Sequence, residues 1–349
     1  MTGTSFRLGA GIGQVLEEEL MDMRRRAALL AAALLFVSAA VMSAEYVVKI
    51  GHLTNTDHTW HKACEKFREI VEKESNGRIE VRVYPNSELG PEVEVVDGIH
   101  GGIAHMVISA DSLANWVPSI ALLSVPYMIR DIPHMEKVLN SEIGEFISKE
   151  IIAQASLRPL AAFARAPRNL TSNKPVTVPA DASGLKVRLP AVPLHVAAWE
   201  AVGAKPTPMA FSEVFTSLQQ GVINGQENPP DLIRSASFFE VQKYMNLTEH
   251  VRTWIYLLIG EDFFQELPED LQGIVLKAGK ETEKYERGLH LAAVQSDLDF
   301  LRGKGMIFNE SDKKAFADAM YPAVIKFLQD LDKSKGTRLA EMYEQVIKM

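Results

Sequence analysis

Two arginines stand in this sequence where charged side chains are seldom placed without a reason. Arg168 follows the strand-like run 160–166 in RAPRNLTSNKP, and Arg188 lies at the end of the run 185–189 in GLKVRLP. Charged groups at the carboxyl ends of strands in open α/β sheets face the crevice where ligands bind. A guanidinium suits a carboxylate there, because its planar fork matches the two oxygens and it stays charged. Taken singly, each arginine fits equally a structural role, paired with a buried acid. Asn228 sits in NGQENPP, where Pro229 and Pro230 fix the chain direction. Its amide both donates and accepts, which suits a carboxylate beside a hydroxyl, although an ordinary turn asparagine has the same look. Phe211, in PMAFSEV, is placed either to cover a ligand face or to pack in the core. Glu92, after Leu89-Gly90-Pro91, can accept from hydroxyls or simply favour the first turn of a helix.

Other combinations carry less. His58 and His61, with Asp57 and Glu65 close by, have the spacing of metal ligands on one helical turn. No further ligand cluster and no HExxH motif accompanies them, so no metal is expected. The run Gly9 to Gly13 resembles a nucleotide loop only superficially, since it precedes an apolar leader. No nucleophile elbow, Ser-His-Asp ordering or paired acid and base stands out, so no catalytic residue is assigned and no cofactor is expected.

The elements that must hold these residues alternate. Residues 46–50 are β-rich, and 59–75 are helical, with Ala63, Phe67, Ile70 and Val71 on one face and Asn76-Gly77 as the stop. Residues 78–84 alternate as a strand, 91–99 suggest a helix, 104–109 a strand and 121–128 a partly buried segment. A second round brings strands at 160–166 and 185–189, a helix at 193–202, and a helix at 211–220 with Ser212 as its N-cap. Such alternation indicates α/β layers over a largely parallel sheet. Residues 268–303 form one long helical pattern, roughly 50 Å at 1.5 Å per residue. Its apolar stripe runs through Leu271, Val275, Ala278, Tyr285, Leu289 and Ala292, then shifts to Leu291, Val294 and Leu298. The shift marks either a new packing partner or a break at Gly288, and one continuous helix is expected.

Bulk properties narrow the function. The 349 residues are 47% hydrophobic and 23% charged, with a net charge of −8, which argues against a nucleic-acid partner. Cys64 is the one cysteine, so a disulfide framework is ruled out. Met23-Arg24-Arg25-Arg26, the run AALLAAALLFVSAAVM and then Ser43-Ala44-Glu45 read as the three regions of a signal peptide cleaved after Ala44. The run is too short and alanine-rich for a convincing span, which needs about 20 residues. The acidic stretch at Glu17 to Glu19 suggests that translation starts at Met21 or Met23.

RNLTSNKPV, GLKVRLP, GAKPTPMAFSEVFTSLQQGVINGQENPP and FFQELPEDLQ, in this order and spacing, resemble the DctP-type substrate-binding proteins of tripartite ATP-independent periplasmic (TRAP) transporters. The resemblance runs from Tyr46 to the C-terminus. It implies a two-lobe, type II-like periplasmic substrate-binding-protein fold of the α/β class, with a long helix spanning both lobes. On this basis residues 1–44 are an upstream extension and signal peptide. Residues 45–165 with 254–293 form lobe I, and 166–253 with 294–349 form lobe II.

By the same resemblance Arg188 is the carboxylate clamp, Arg168 the second binding arginine, Asn228 the amide contact and Phe211 the aromatic over the ligand. Glu92 and Asp111 fall on further polar contacts. Asn224 stands where the family has an aspartate. The implied protein is a monomeric periplasmic receptor for an organic acid, with delivery to a sodium-coupled permease of one small and one large membrane subunit. A sugar acid such as a uronate is favoured, and a C4-dicarboxylate or another carboxylate stays open. An exported enzyme acting on carboxylated sugars, or a membrane-anchored sensor domain, are the competing readings.

Overall fold

The computed structural model describes Leu20, Met21, Met23, Arg24 and residues 44–349. The apolar leader and most of the upstream extension thus lie outside the described residues. Glu45 to Met349 form one compact unit. Its first strands are β1 (Tyr46–Gly51), β2 (Ile79–Tyr84), β3 (Met106–Ser109) and β4 (Leu157–Ala164). Then come β5 (Arg168–Ser172), β6 (Lys186–Leu189), β7 (Lys205–Pro208), β8 (Gly225–Asn228) and β9 (Tyr244–Val251). β10 (Trp254–Gly260) and β11 (Ile307–Glu310) complete the set.

These strands build two sheets, one in each lobe of an α/β fold. The first has the order β2-β1-β3-β10-β4, and the second β11-β9-β5-β8-β6-β7. Both are mixed rather than largely parallel. β1 runs parallel to β2 and β3, whereas β10 runs antiparallel to β3 and β4. β5 is likewise antiparallel to both β8 and β9. The antiparallel strands are those that carry the chain from one sheet to the other, at 164–168 and 251–254, so they enter against the local direction. β10 (WIYLLIG) is buried along its whole length, as a strand covered on both faces must be.

Local sequence explains most elements. Helix Thr59–Glu74 buries Ala63, Phe67, Ile70 and Val71, and the His58 side chain caps it by accepting from the Trp60 amide at 3.1 Å. The chain leaves it through Asn76 and Gly77 at φ 53° and 80°, a left-handed corner that glycine adopts at little cost. Residues 211–220 differ from expectation. A 3-10 turn, Phe211–Glu213, precedes the helix Val214–Gln219, and Ser212 does not cap it. Glu213 does the satisfying instead, accepting from the Ala210 amide at 3.1 Å.

The long helix is continuous, Glu269–Gly303, passing Gly288 without a break. Its first half packs Leu271, Val275 and Ala278 into the core that β1, β3 and β10 share, while Leu301 belongs to the cluster of Val214, Leu218 and Met245. Gly279 lets it lie close on β4, since a Cβ there would stand 2.5 Å from the Leu160 carbonyl oxygen. The second half departs from the expected apolar stripe. Leu291 and Ala292 are exposed, and the buried face carries Thr282, Glu286, His290 and Asp297. Two of them meet polar partners: Thr59 donates to Glu286 at 2.9 Å, and Arg234 to Asp297 at 2.8 Å. No helix among the described residues is long and apolar enough to cross a membrane.

Candidate functional site

Between the strand ends of the two sheets lies a small, partly open recess. Glu92, Asp111, Arg168, Arg188, Phe211 and Asn228 all line it, so all six sequence-derived positions come together. Glu92 and Asp111 arrive from the first sheet, before and after β3. The other four arrive from β5, β6, the turn after β7, and β8.

Arg188 is the third residue of β6, between β7 and β8, and is 4% exposed. Its Nε and Nη2 both donate to the Met209 carbonyl, at 3.0 and 2.7 Å. No carboxylate among the described residues pairs with it. Burial therefore pushes its pKa down to about 10, with Arg168 adding to the effect and Glu227 and Glu92 opposing it. The guanidinium carbon sits 5.8 Å from the centre of the Phe211 ring, which is braced by Phe238 at 5.6 Å. The result is a buried cation, held over an aromatic ring, with no carboxylate paired to it among the described residues.

Arg168 is a different kind of residue. It opens β5 rather than trailing a strand, and its Nε and Nη2 bind the Glu227 carboxylate at 2.5 and 2.7 Å. Nη2 also donates to the Glu227 carbonyl at 2.7 Å, leaving Nη1 towards Asp111 at 3.9 Å. Glu227 further bonds His250 Nε2 at 2.9 Å, and His250 Nδ1 meets Thr248 at 2.9 Å. Burial alone would raise the Glu227 carboxyl, but Arg168 and His250 hold it well below the carboxylate range. Burial alone would lower Arg168, and the Glu227 charge outweighs it. Such a pair strengthens both members because the surroundings screen it poorly.

The wall from the first sheet is acidic. Glu92 begins the helix Glu92–Gly98 and accepts from the Ser109 hydroxyl at 2.5 Å. Burial, reinforced by the Asp111 charge, pushes its carboxyl up against that hydrogen bond. Asp111 accepts from Arg165 Nη1 at 3.1 Å, while Asp111 Oδ1 and Arg165 Nε are buried with no partner among the described residues. Trp60 closes this side, 5.9 Å from the Arg165 guanidinium.

Asn228 is not in a turn. It ends β8, directly opposite Asn169 of β5, and the two prolines begin the helix Pro230–Ser235 that follows. Its Nδ2 donates to Gln226 at 2.6 Å, and Gln226 in turn donates to Thr171 at 2.9 Å, so the amide is fixed by a buried chain of polar groups. Asn224 is exposed and bonds the Lys186 amide through its side chain at 3.2 Å, outside the residues that line the recess. His58 bonds the Trp60 amide and lies 3.4 Å from Asp231, and His61 bonds His52 at 3.1 Å. Arg165, Glu227 and Trp60 were not singled out in the sequence. Arg165 had a signal, standing three residues before Arg168 at the same crossing. Glu227 had none, because an acid inside QENP gives no sign that it is buried.

A family model, bacterial extracellular solute-binding protein, family 7, matches residues 50–330. A solute-binding protein of Roseobacter denitrificans is 51% identical over 288 residues, spanning 82% of this chain and 89% of its own. The 2,3-diketo-L-gulonate-binding periplasmic protein of Escherichia coli K12 is 32% identical, spanning 84% and 90%. A crystal structure of a TRAP periplasmic solute-binding protein from Roseobacter denitrificans, with L-galactonate bound, superposes with a TM-score of 0.83 at 48% identity, covering 87% of this chain and 99% of that one. With the two sheets, the long helix and the match over most of its length, this chain belongs to the family 7 extracellular solute-binding proteins, the DctP-type receptors of TRAP transporters.

Proposed function

We propose that this chain is a periplasmic receptor that takes a sugar acid by its carboxylate and hands it to a TRAP permease of one small and one large subunit. The observation that carries this reading is Arg188: buried, lining the recess and without an acidic partner among the described residues. A ligand carboxylate supplies the missing countercharge and accepts the guanidinium fork. Arg168 adds a second positive group through Nη1, Asn228 contributes a fixed amide, and Phe211 covers the ligand. Glu92 and Asp111 accept from hydroxyls. The family relatives that bind L-galactonate and 2,3-diketo-L-gulonate support a sugar acid as the cargo.

In this proposal residues 45–165 with 254–293 and residues 166–253 with 294–349 act as two lobes that close on the ligand. The separate sheets support that division. A ligand touching residues of both sheets favours the closed form by its additional contacts there. Residues 1–44 carry the export signal, removed after Ala44.

A thermal-shift screen of the mature protein against sugar acids and other carboxylates, including L-galactonate and D-galacturonate, tests the reading. Binding only to the folded state stabilises by about 2.7 kcal/mol at 100 times the dissociation constant. No shift with any acid, together with turnover of one of them, refutes the receptor assignment in favour of an enzyme. Small-angle scattering at saturation should show a smaller radius of gyration, and an unchanged profile counts against closure. The mass of the exported protein checks the cleavage site.

A further inference from the structure

The charged groups around the recess restrict the acid further, to a monocarboxylate. Three cations line it, Arg165, Arg168 and Arg188, together with two carboxylates, Glu92 and Asp111. Two of the cations are already answered. Arg165 donates to Asp111 at 3.1 Å, and Arg168 binds Glu227, just behind the wall, at 2.5 and 2.7 Å. Among the described residues Arg188 alone pairs with no carboxylate and Glu92 alone with no cation, its partner being the Ser109 hydroxyl at 2.5 Å. All these groups except half-buried Glu92 are buried, so their charges are weakly screened and a miscount is expensive.

We infer that the site admits a polyhydroxylated acid with one carboxylate, set on Arg188, and rejects the same carbon chain carrying a carboxylate at both ends, with Glu92 as the residue that rejects it. This rests on the proposed receptor function and deepens it. A second carboxylate has three places to go. It can take Arg165 Nε or Arg168 Nη1, sharing a guanidinium already paired with a buried acid, or stand against Glu92. The first two bring it against the like charge of Asp111 or Glu227, and the third sets it beside a carboxylate with little screening. A hydroxyl in the same place meets no such obstacle, since it donates to Glu92 or to the unpartnered Asp111 Oδ1. Burial raises the Glu92 carboxyl, and its protonated form could donate to a second carboxylate. The Ser109 bond, at 2.5 Å, opposes that protonation.

The test compares L-galactonate with galactarate, the same six-carbon chain oxidised at both ends, by isothermal titration on the mature wild-type protein and on Glu92→Gln. Wild-type should bind L-galactonate at least a hundredfold more tightly than galactarate. In E92Q, whose amide keeps the shape and removes the charge, that ratio should fall at least tenfold through a gain for galactarate. Asp111→Asn serves as the comparison: it frees Arg165 as a second unanswered cation, and so should also improve galactarate. Melting of each variant establishes that it is folded. A wild-type protein that binds both acids within threefold of each other overturns the inference while leaving the receptor reading intact. A folded E92Q that keeps the wild-type ratio overturns it as well, whatever D111N does. Binding of neither acid, nor of any other carboxylate, overturns both.

Discussion

Replacing Arg188 by methionine should separate binding from stability, because the two depend on the same charge with opposite sign. In the empty protein the guanidinium is buried without a counter-ion, and its pKa falls from the ordinary 12.5 to about 10. That fall corresponds to on the order of 3 kcal/mol against the folded state. A base whose folded value is depressed carries the whole penalty below the folded pKa and none above the unfolded one, so at pH 7 the penalty is present in full. Methionine removes it and fills a similar space. The loss is at the Met209 carbonyl, which gives up both of its Arg188 donors and, if left unsatisfied, costs about 1–3 kcal/mol. The empty variant should therefore melt at the wild-type temperature or a few degrees above it.

Binding moves the other way. Two hydrogen bonds from a charged donor contribute about 1.5–3 kcal/mol each, so losing the fork weakens the acid by more than a hundredfold. Arg188→Lys should recover part of this, as the charge remains and the planar geometry does not. Calorimetric titration with the best acid from the screen, and scanning calorimetry of the empty variants, measure both quantities. A methionine variant that binds within threefold of wild-type refutes the carboxylate clamp. An empty variant that loses many degrees shows instead that Arg188 holds the fold together.

Three further outcomes follow from buried groups along the chain. Burial, with Asp231 and Glu283 adding to it, raises Glu286 to about 8, so its contribution to stability is full below 4.5 and is lost as pH rises through 8. Glu286→Gln should thus raise the melting temperature at pH 8 and leave it unchanged at pH 4; equal effects at both would exclude this account. Among the described residues neither His195 ring nitrogen has a partner, and burial lowers it to about 4, so stability is present above 6.5 and falls by on the order of 3 kcal/mol as pH drops to 4. His195→Leu should flatten that part of the profile in urea unfolding at pH 7, 5.5 and 4. In the long helix, Gly279→Ala should destabilise by about 1–3 kcal/mol through its clash with Leu160. Gly288→Ala, with nothing within 4 Å, should stabilise by up to about 1 kcal/mol, and the same sign at both positions would disprove the close approach.

The sequence by itself determined what depends on short range. β-rich composition placed β1, and period-two and period-3.6 patterns placed β2 and the helix Thr59–Glu74, each of which buries one face that the pattern records. Four ordered motifs carried the family together with Arg168, Arg188, Phe211 and Asn228, while Glu92 and Asp111 were matched outside them. Several things depended on neighbours far along the chain. β8 read as a turn, since GQENPP holds no apolar pattern; only pairing with β5 makes it a strand. The second half of the long helix looked apolar on the wrong face, because Glu286 and Asp297 on its buried side are met by Thr59 and Arg234, which lie 227 and 63 residues from their partners. The difference between the two arginines was likewise invisible. Arg168 and Arg188 occupy similar places in similar motifs, yet one meets Glu227 and the other meets only a carbonyl oxygen. Charge compensation acts across space, over distances that a linear pattern does not encode, and here it decides which cation is left to bind.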